Sequence, residues 1–121
     1  MKNKLVLTLS LAASCLFTNV QAQESIPVLS TKELVDVCKV STTGEYRSYC
    51  VGYMTSAYDT YLATRNPKHA KPFICVKQPA PPRDEVINGY LKWTQERPAL
   101  ASKPAAGTLL DYLATRFPCG K

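Results

Sequence analysis

Apolar residues recur at helical spacing through residues 45–65, a stretch that contains no proline. The spacings i, i+3, i+4 and i+7 place such residues on one side of an amphipathic helix. We therefore predict a central helix over this stretch. Its buried face is predicted to comprise Cys50, Tyr53, Met54, Ala57, Tyr61 and Leu62.

A shorter apolar pattern precedes the central helix. Ser30 lies three residues before Glu33, the spacing of a capping box, so a first helix is predicted to begin there. It carries Leu34, Val35 and Cys38 on one side and is predicted to end near Val40. Residues 41–44, Ser-Thr-Thr-Gly, have the composition of a turn. Because this link is short, the first two helices are predicted to be antiparallel neighbours.

Residues 66–82 form a long connection that contains five prolines. Proline disfavours helix in the residue before it, so the central helix is predicted to end at Asn66–Pro67. The connection is basic and includes the apolar piece Phe73–Val76. A loop of this length in a small domain is usually tied down or functional. We predict that the apolar piece packs against the core with Cys75 as its tether.

Two further helical patterns follow. The third helix opens at residues 82–85, where proline and acidic residues suit a helix N-terminus, and the fourth spans from residues 102–104 to Pro118. No segment shows the strict alternation of a β-strand. The predicted fold class is therefore all-α, a small four-helix domain. The apolar faces are predicted to comprise Val86, Ile87, Tyr90, Leu91 and Trp93 or Thr94 in the third helix, and Ala106, Leu109, Leu110, Leu113 and Phe117 in the fourth.

The pattern Tyr-Leu-Ala-Thr-Arg-x-Pro occurs twice, at residues 61–67 and 112–118. Each copy falls where a helix is predicted to end. Arginine suits the negative end of the helix dipole there, and proline stops the helix. We interpret the repeat as a shared way of ending a helix rather than as a duplicated functional site.

Residues 1–22 have the pattern of a secretory signal peptide. Lys2 and Lys4 precede an apolar run over residues 5–17, and Val20-Gln21-Ala22 is typical of a cleavage site. The run is shorter than the roughly 20 residues that span a bilayer. We expect cleavage after Ala22, a single domain over residues 23–121, no membrane insertion after cleavage and a location outside the cytoplasm. An alternative is that Cys15 is a lipidation site.

Four cysteines lie beyond the predicted cleavage site: Cys38, Cys50, Cys75 and Cys119. They are far apart, contain no Cys-x-x-Cys pair and would lie in an oxidising compartment, which together favour two disulfides over a metal site. The short link between the first two helices suggests the pairs 38–50 and 75–119. If the long loop returns along the central helix, the pairs are 38–119 and 50–75, and both possibilities stay open.

The charged and reactive residues argue against catalysis and against nucleic-acid binding. Without Lys2 and Lys4, 13 of the 15 basic residues remain against nine acids, so the net charge of residues 23–121 is +4 and is scattered along the chain. The single histidine, His69, lies in a proline-bounded loop, and Asp59 has no evident base or metal partner. We predict no catalytic residue, no metal and no cofactor.

Tyrosines are concentrated in the central helix, which carries five of the seven between Tyr46 and Tyr61. They point in several directions around the helix, so some are expected at the surface. Tyrosine is enriched in protein interfaces. We therefore expect at least one or two of them to contact a partner.

The chain resembles the small exported immunity proteins of the Rap/Tai type, which protect bacteria from peptidoglycan-amidase toxins delivered by type VI secretion. The resemblance spans almost all of the chain beyond residue 22. It rests on Cys38 at a helix end, and then on the segments at residues 49–53, 73–76, 86–91 and 117–119, which read Tyr-Cys-Val-Gly-Tyr, Phe-Ile-Cys-Val, Val-Ile-Asn-Gly-Tyr-Leu and Phe-Pro-Cys.

The resemblance implies a helical, disulfide-containing periplasmic protein, often a homodimer, that occludes the cleft of a peptidoglycan hydrolase or amidase toxin. It implies no catalytic residue. We expect contact residues near residues 41–47 and 65–71, and the candidates are Tyr46, Arg47, Tyr58, Arg65, Lys68, His69 and Lys71. The alternative function is an acid-activated periplasmic chaperone, although a basic chain offers few acids to titrate.

Overall fold

The computed structural model describes residues 27–40, 42–65 and 70–120. These residues form four α-helices: α1 (Thr31–Val40), α2 (Gly44–Thr64), α3 (Arg83–Gln95) and α4 (Ala105–Arg116), with a 3₁₀ turn at Pro98–Leu100. The predicted all-α fold is confirmed. Within the described ranges, the one β-type pairing is an isolated bridge between Ser30 and Pro104. The predicted signal peptide, Cys15 and Ala22 lie outside these ranges.

The capping box at the start of α1 is confirmed. A carboxylate oxygen of Glu33 accepts hydrogen bonds from the Ser30 backbone N–H at 2.8 Å and from its hydroxyl at 2.7 Å. Ser30 Oγ in turn accepts from the Glu33 N–H at 3.3 Å. The side chains thus satisfy N–H groups that the first turn of a helix leaves without partners.

Helices α1 and α2 pack as a hairpin closed by the disulfide Cys38–Cys50. The second disulfide joins Cys75 to Cys119, so the first of the two predicted pairings is correct. On α2, Cys50, Met54 and Tyr61 are buried, and Tyr53 and Ala57 are half-buried.

Leu62 is an exception to the predicted buried face of α2, because 42% of it is exposed. Successive residues of an α-helix are 100° apart, so Leu62 lies well to one side of Tyr61. Tyr61 is buried, so the buried face of α2 ends with this tyrosine and does not include Leu62.

The apolar faces of α3 and α4 meet the rest of the core largely as predicted. Ile87, Tyr90, Leu109 and Leu113 are buried, and the other predicted positions are buried or half-buried. The buried face of α4 also includes two residues with hydroxyl groups that the apolar pattern missed, Thr108 and Tyr112, together with Ala105.

A chain of buried hydroxyl groups joins α1, α3 and α4. The Tyr90 hydroxyl lies 2.9 Å from Thr108 Oγ1, which lies 2.7 Å from Thr31 Oγ1. Thr31 donates to the Lys103 carbonyl at 2.8 Å. Each hydroxyl has one proton to donate. Every proton finds an acceptor if Tyr90 donates to Thr108 and Thr108 donates to Thr31, because Thr31 donates to the Lys103 carbonyl.

Backbone hydrogen bonds also hold the start of α1 against the start of α4. The Thr31 N–H donates to the Lys103 carbonyl at 2.8 Å, and the Ala105 N–H donates to the Leu29 carbonyl at 2.8 Å. The Lys32 N–H donates to the Ala101 carbonyl at 2.9 Å. The beginning of the described chain is therefore fixed to its last quarter.

The segment after α2 packs on the core through its apolar piece, as predicted. Ile74 is 3% exposed, and the Cys75 N–H donates to the Phe117 carbonyl at 2.8 Å. The Tyr61 hydroxyl accepts from the N–H groups of Phe73 and Ile74 at 3.0 and 3.1 Å. Phe73 itself is half exposed, with its ring edge on Tyr61.

Both described copies of the repeated Tyr-Leu-Ala-Thr-Arg segment end a helix, as predicted: α2 ends at Thr64 and α4 at Arg116. Arg65 lies over the Tyr61 ring, and Arg116 pairs with Glu85 of α3. In the part of the chain that the structure describes, no helix has the length and apolar character needed to cross a bilayer.

Candidate partner-binding surface

An apolar groove lies between α2 and α3, which pack on α1 and α4 much more than on each other. Its cavity volume is about 220 Å³. Helix α4 and the segment between α2 and α3 also contribute to its lining. The lining residues are mostly apolar: Val51, Met54, Val76, Ala80, Pro81, Val86, Ile87, Leu109, Leu113 and Phe117, with Thr55, Tyr58 and Arg83 among them.

The groove follows from the way the sequence places one flank of α2. Val51, Thr55 and Tyr58 stand at i, i+4 and i+7, so they share a flank beside the buried stripe. Burial raises the pKa of the Tyr58 hydroxyl further above its ordinary value of 10.0, so the group stays uncharged at neutral pH. Tyr58 also stacks with Tyr61, with ring centroids 6.1 Å apart.

An ion pair joins α2 to α3 near the groove. Arg47 of α2 pairs with Asp84 in the first turn of α3. The arginine side chain is largely covered, at 17% exposure, whereas Asp84 is open to solvent. Arg83, the residue before Asp84, lines the groove itself.

A second candidate surface lies on the other flank of α2. Tyr46 and Tyr49 are 56% and 49% exposed, and Tyr49 stacks with the half-buried Tyr53 at 6.3 Å between centroids. Below them, Tyr53 lines a shallow depression with Ala106 and other residues of α2 and α4. The predicted surplus of surface tyrosines is therefore present on this flank.

A family profile of Rap1a immunity proteins matches residues 30–119. The match begins at the capping serine of α1 and ends at the second cysteine of the Cys75–Cys119 disulfide, so it covers all four helices. This chain belongs to the Rap1a immunity protein family. Searches of curated proteins and of solved structures found no significant match.

Membership of the Rap1a immunity protein family implies that the functional feature is a surface that binds a toxin partner. The described cysteines are oxidised and so are not free nucleophiles. Among residues 27–40, 42–65 and 70–120, no cluster of three or more histidine, cysteine or carboxylate side chains is arranged to hold a metal ion.

The predicted contact residues of this Rap1a protein do not form one patch. Tyr58 lines the groove and Arg47 lies near it, whereas Tyr46 is exposed on the opposite flank of α2. Arg65 is half-buried just after α2, and Lys71 is exposed at the start of the next described segment. Lys68 and His69 lie outside the described residues. The assignment of these seven residues to a partner stays a prediction.

The sequence did not point to the groove. Its walls come from residues 51–58, 76–87 and 109–117, which only the tertiary fold brings together. Arg83 was recognised only as part of a helix start. A signal was nevertheless present, because Val51 and Tyr58 extend the apolar pattern of α2 beyond the width that one buried stripe needs.

Proposed function

We propose that this Rap1a immunity protein is exported to the periplasm and there binds and occludes a peptidoglycan-amidase toxin delivered by type VI secretion. Binding would protect the cell that makes both proteins. The observation that carries the proposal is the family match over residues 30–119, which spans every described helix.

The two disulfides support a periplasmic location. Such bonds persist in oxidising compartments and are rare in the cytoplasm. They join Cys38 to Cys50 and Cys75 to Cys119, one in each half of the fold. The signal-like pattern of residues 1–22 agrees with export.

The build of the domain supports inhibition by binding. Two disulfides and a buried hydroxyl network limit the conformational entropy that the protein loses when it docks. Its exposed tyrosines and apolar groove are the kinds of feature that supply anchors at protein interfaces.

The direct test begins with a search of the neighbouring genes for a peptidoglycan hydrolase, which is then co-expressed with this protein. With both proteins exported, we expect the hydrolase alone to lyse the cells and the pair to permit growth. Purified proteins should form a stoichiometric complex by calorimetry and suppress release of cell-wall fragments. Lysis despite abundant exported protein, together with no complex, would contradict the immunity role for that hydrolase.

Separate measurements test the location and the toxin class. Fractionation should recover the mature protein in the periplasm, and its N-terminus should begin at Gln23. Mass spectrometry of cell walls from poisoned cells should show cleaved amide bonds in the peptide stems. Cleavage only between sugars would contradict the amidase assignment while leaving the immunity role intact.

A further inference from the structure

We propose that the α2–α3 groove receives one large apolar side chain of the toxin and that Arg83 pairs with a carboxylate beside it. This inference rests on the proposed function, because it takes the toxin to be the partner. It specifies the surface that is used and the chemistry of the segment that is bound.

The size and lining of the groove favour a single side chain. Pockets for small-molecule ligands commonly measure about 300–1,000 Å³, whereas this cavity measures about 220 Å³. Its lining is mostly apolar and includes Val51 of α2, Val86 of α3 and Leu109 of α4. An anchor side chain that loses its water in such a pocket is a typical hot spot of a protein interface.

The charge at the groove gives the second part of the proposal. Of the arginines that the structure describes, Arg47, Arg97 and Arg116 pair with carboxylates, and Arg65 lies over an aromatic ring. Arg83 lines the groove and has no such partner among the described residues. Lys77, which follows the groove residue Val76, is likewise exposed without an ion pair there. A carboxylate next to the anchor would complement this excess of positive charge.

The groove is also held in shape before any partner binds. The Cys75–Cys119 disulfide and the hydrogen bond from Cys75 to Phe117 fix the segment that supplies Val76 and Pro81. The Arg47–Asp84 ion pair holds the start of α3 towards α2. A preformed pocket requires little ordering on binding, so its anchor contributes more of its contact energy to affinity.

Neighbouring positions on α2 provide a matched test of the apolar part. Thr55 and Ser56 are both exposed, but Thr55 lines the groove whereas Ser56 lies on the tyrosine flank. We expect Thr55→Trp to fill the groove and weaken binding of the purified hydrolase by about 30- to 100-fold, since loss of a hot spot costs roughly 2 kcal/mol or more. Ser56→Trp should bind like the wild type.

Charge reversal tests the role of Arg83. We expect Arg83→Glu to weaken binding at least about tenfold and to reduce its dependence on salt. Lys39→Glu makes the same change in net charge on α1, where Lys39 lines a different depression. It should change the affinity little. A toxin variant with the contacted carboxylate changed to lysine should bind the Arg83→Glu protein more tightly than it binds the wild-type protein.

The outcomes separate this inference from the proposed function. If the wild type binds and protects, but Thr55→Trp and Arg83→Glu do so equally well, the groove proposal is wrong and the immunity role stands. If Ser56→Trp alone loses binding, the tyrosine flank is the interface instead. If the wild type itself neither binds nor protects, the proposed function fails. Circular dichroism melting of each variant verifies that it is folded.

Discussion

The hydroxyl of Tyr90 in α3 lies 2.9 Å from Oγ1 of Thr108 in α4, and neither side chain is more than 4% exposed. Burial raises the pKa of this tyrosine, while its bond to Thr108 acts in the opposite direction. The group is therefore a neutral donor at neutral pH, at the head of a chain of hydroxyls that continues through Thr31 to the Lys103 carbonyl.

Removing one member of this hydroxyl chain should destabilise the domain. We expect Tyr90→Phe to lower the free energy of unfolding by roughly 0.5–1.5 kcal/mol, the net value of one hydrogen bond. Thr108→Val should cost about 1–3 kcal/mol because it leaves the buried Tyr90 hydroxyl without its acceptor, although Thr31 keeps the Lys103 carbonyl. Urea unfolding measures both, and the double variant should lose less than the sum. Strict additivity would show that the two residues act independently.

Gly89 of α3 makes room for a side chain of α4. A Cβ atom at this position would lie 2.0 Å from the Tyr112 hydroxyl and 3.1 Å from the ring carbon that bears it. We expect Gly89→Ala to destabilise the protein by roughly 1–3 kcal/mol through overpacking. Adding Tyr112→Phe should recover part of the loss, because it removes the closest atom.

Gly52 is the control for this prediction. It is also within a helix, but a Cβ there would meet nothing within 4 Å. Gly52→Ala should therefore stabilise the protein by roughly 0.5–1 kcal/mol, since alanine loses less backbone entropy in a helix. Thermal unfolding of the two variants should shift in opposite directions. A gain in stability for both would refute the close approach of Gly89 and Tyr112.

The two disulfides should contribute unequally to stability. They close loops with sequence separations of 44 residues for Cys75–Cys119 and 12 for Cys38–Cys50. Loop entropy then gives about 4 and 3 kcal/mol respectively. Replacing both cysteines of a pair by serine, one pair at a time, and measuring unfolding in urea tests this order. A larger loss for the shorter loop would mean that native packing around Cys38 and Cys50 outweighs the entropy of the unfolded chain.

The capping box of α1 should make part of the stability dependent on pH. Hydrogen bonds from the hydroxyl and the backbone N–H of Ser30 hold the pKa of Glu33 below its ordinary value of 4.5. Because the pKa is lower in the folded state, this contribution is complete above the ordinary value. It is lost as the pH falls through the lower folded-state value.

Glu33→Gln tests this dependence, because glutamine can still serve in a capping box but does not titrate. Its stability should fall less steeply than that of the wild type as the pH is lowered from about 6 to 3. Glu45→Gln is the control, because it removes the same charge from the first turn of α2 and leaves the capping box of α1 intact. Equal slopes for the wild type and Glu33→Gln would show that the cap does not depend on the ionised carboxylate.

The helix boundaries could be predicted because their causes are local, and the sequence narrowed the disulfide pairing to two possibilities, of which the structure shows the first. Ser30 and Glu33 fix the start of α1 within three residues, and the short link before α2 brings Cys38 close to Cys50. The family resemblance is confirmed by the match over residues 30–119. Neighbouring residues were enough to predict the helix boundaries, and a series of short motifs along the chain was enough to recognise the family.

The buried hydroxyls and the groove could not be predicted, because they depend on pairs of distant residues. Thr31 and Thr108 are polar and 77 residues apart, so an apolar pattern gives no reason to place them in the core. Leu62 was predicted to be buried, but it is exposed and Tyr61 beside it packs in the core. Whether Tyr46 or Tyr58 faces a partner depends on the surface of a second protein.

If the chain is exported as proposed and crosses a membrane N-terminus first, the pairing of Leu29 and Thr31 with residues 103–105 sets the order in which it can fold. The α1–α2 hairpin and its Cys38–Cys50 bond need only residues up to 64. The contacts that lock α1 in place must wait until α4 has arrived. We therefore expect pulse-labelled intermediates to acquire the Cys38–Cys50 bond first, and to resist protease only once the last helix has emerged.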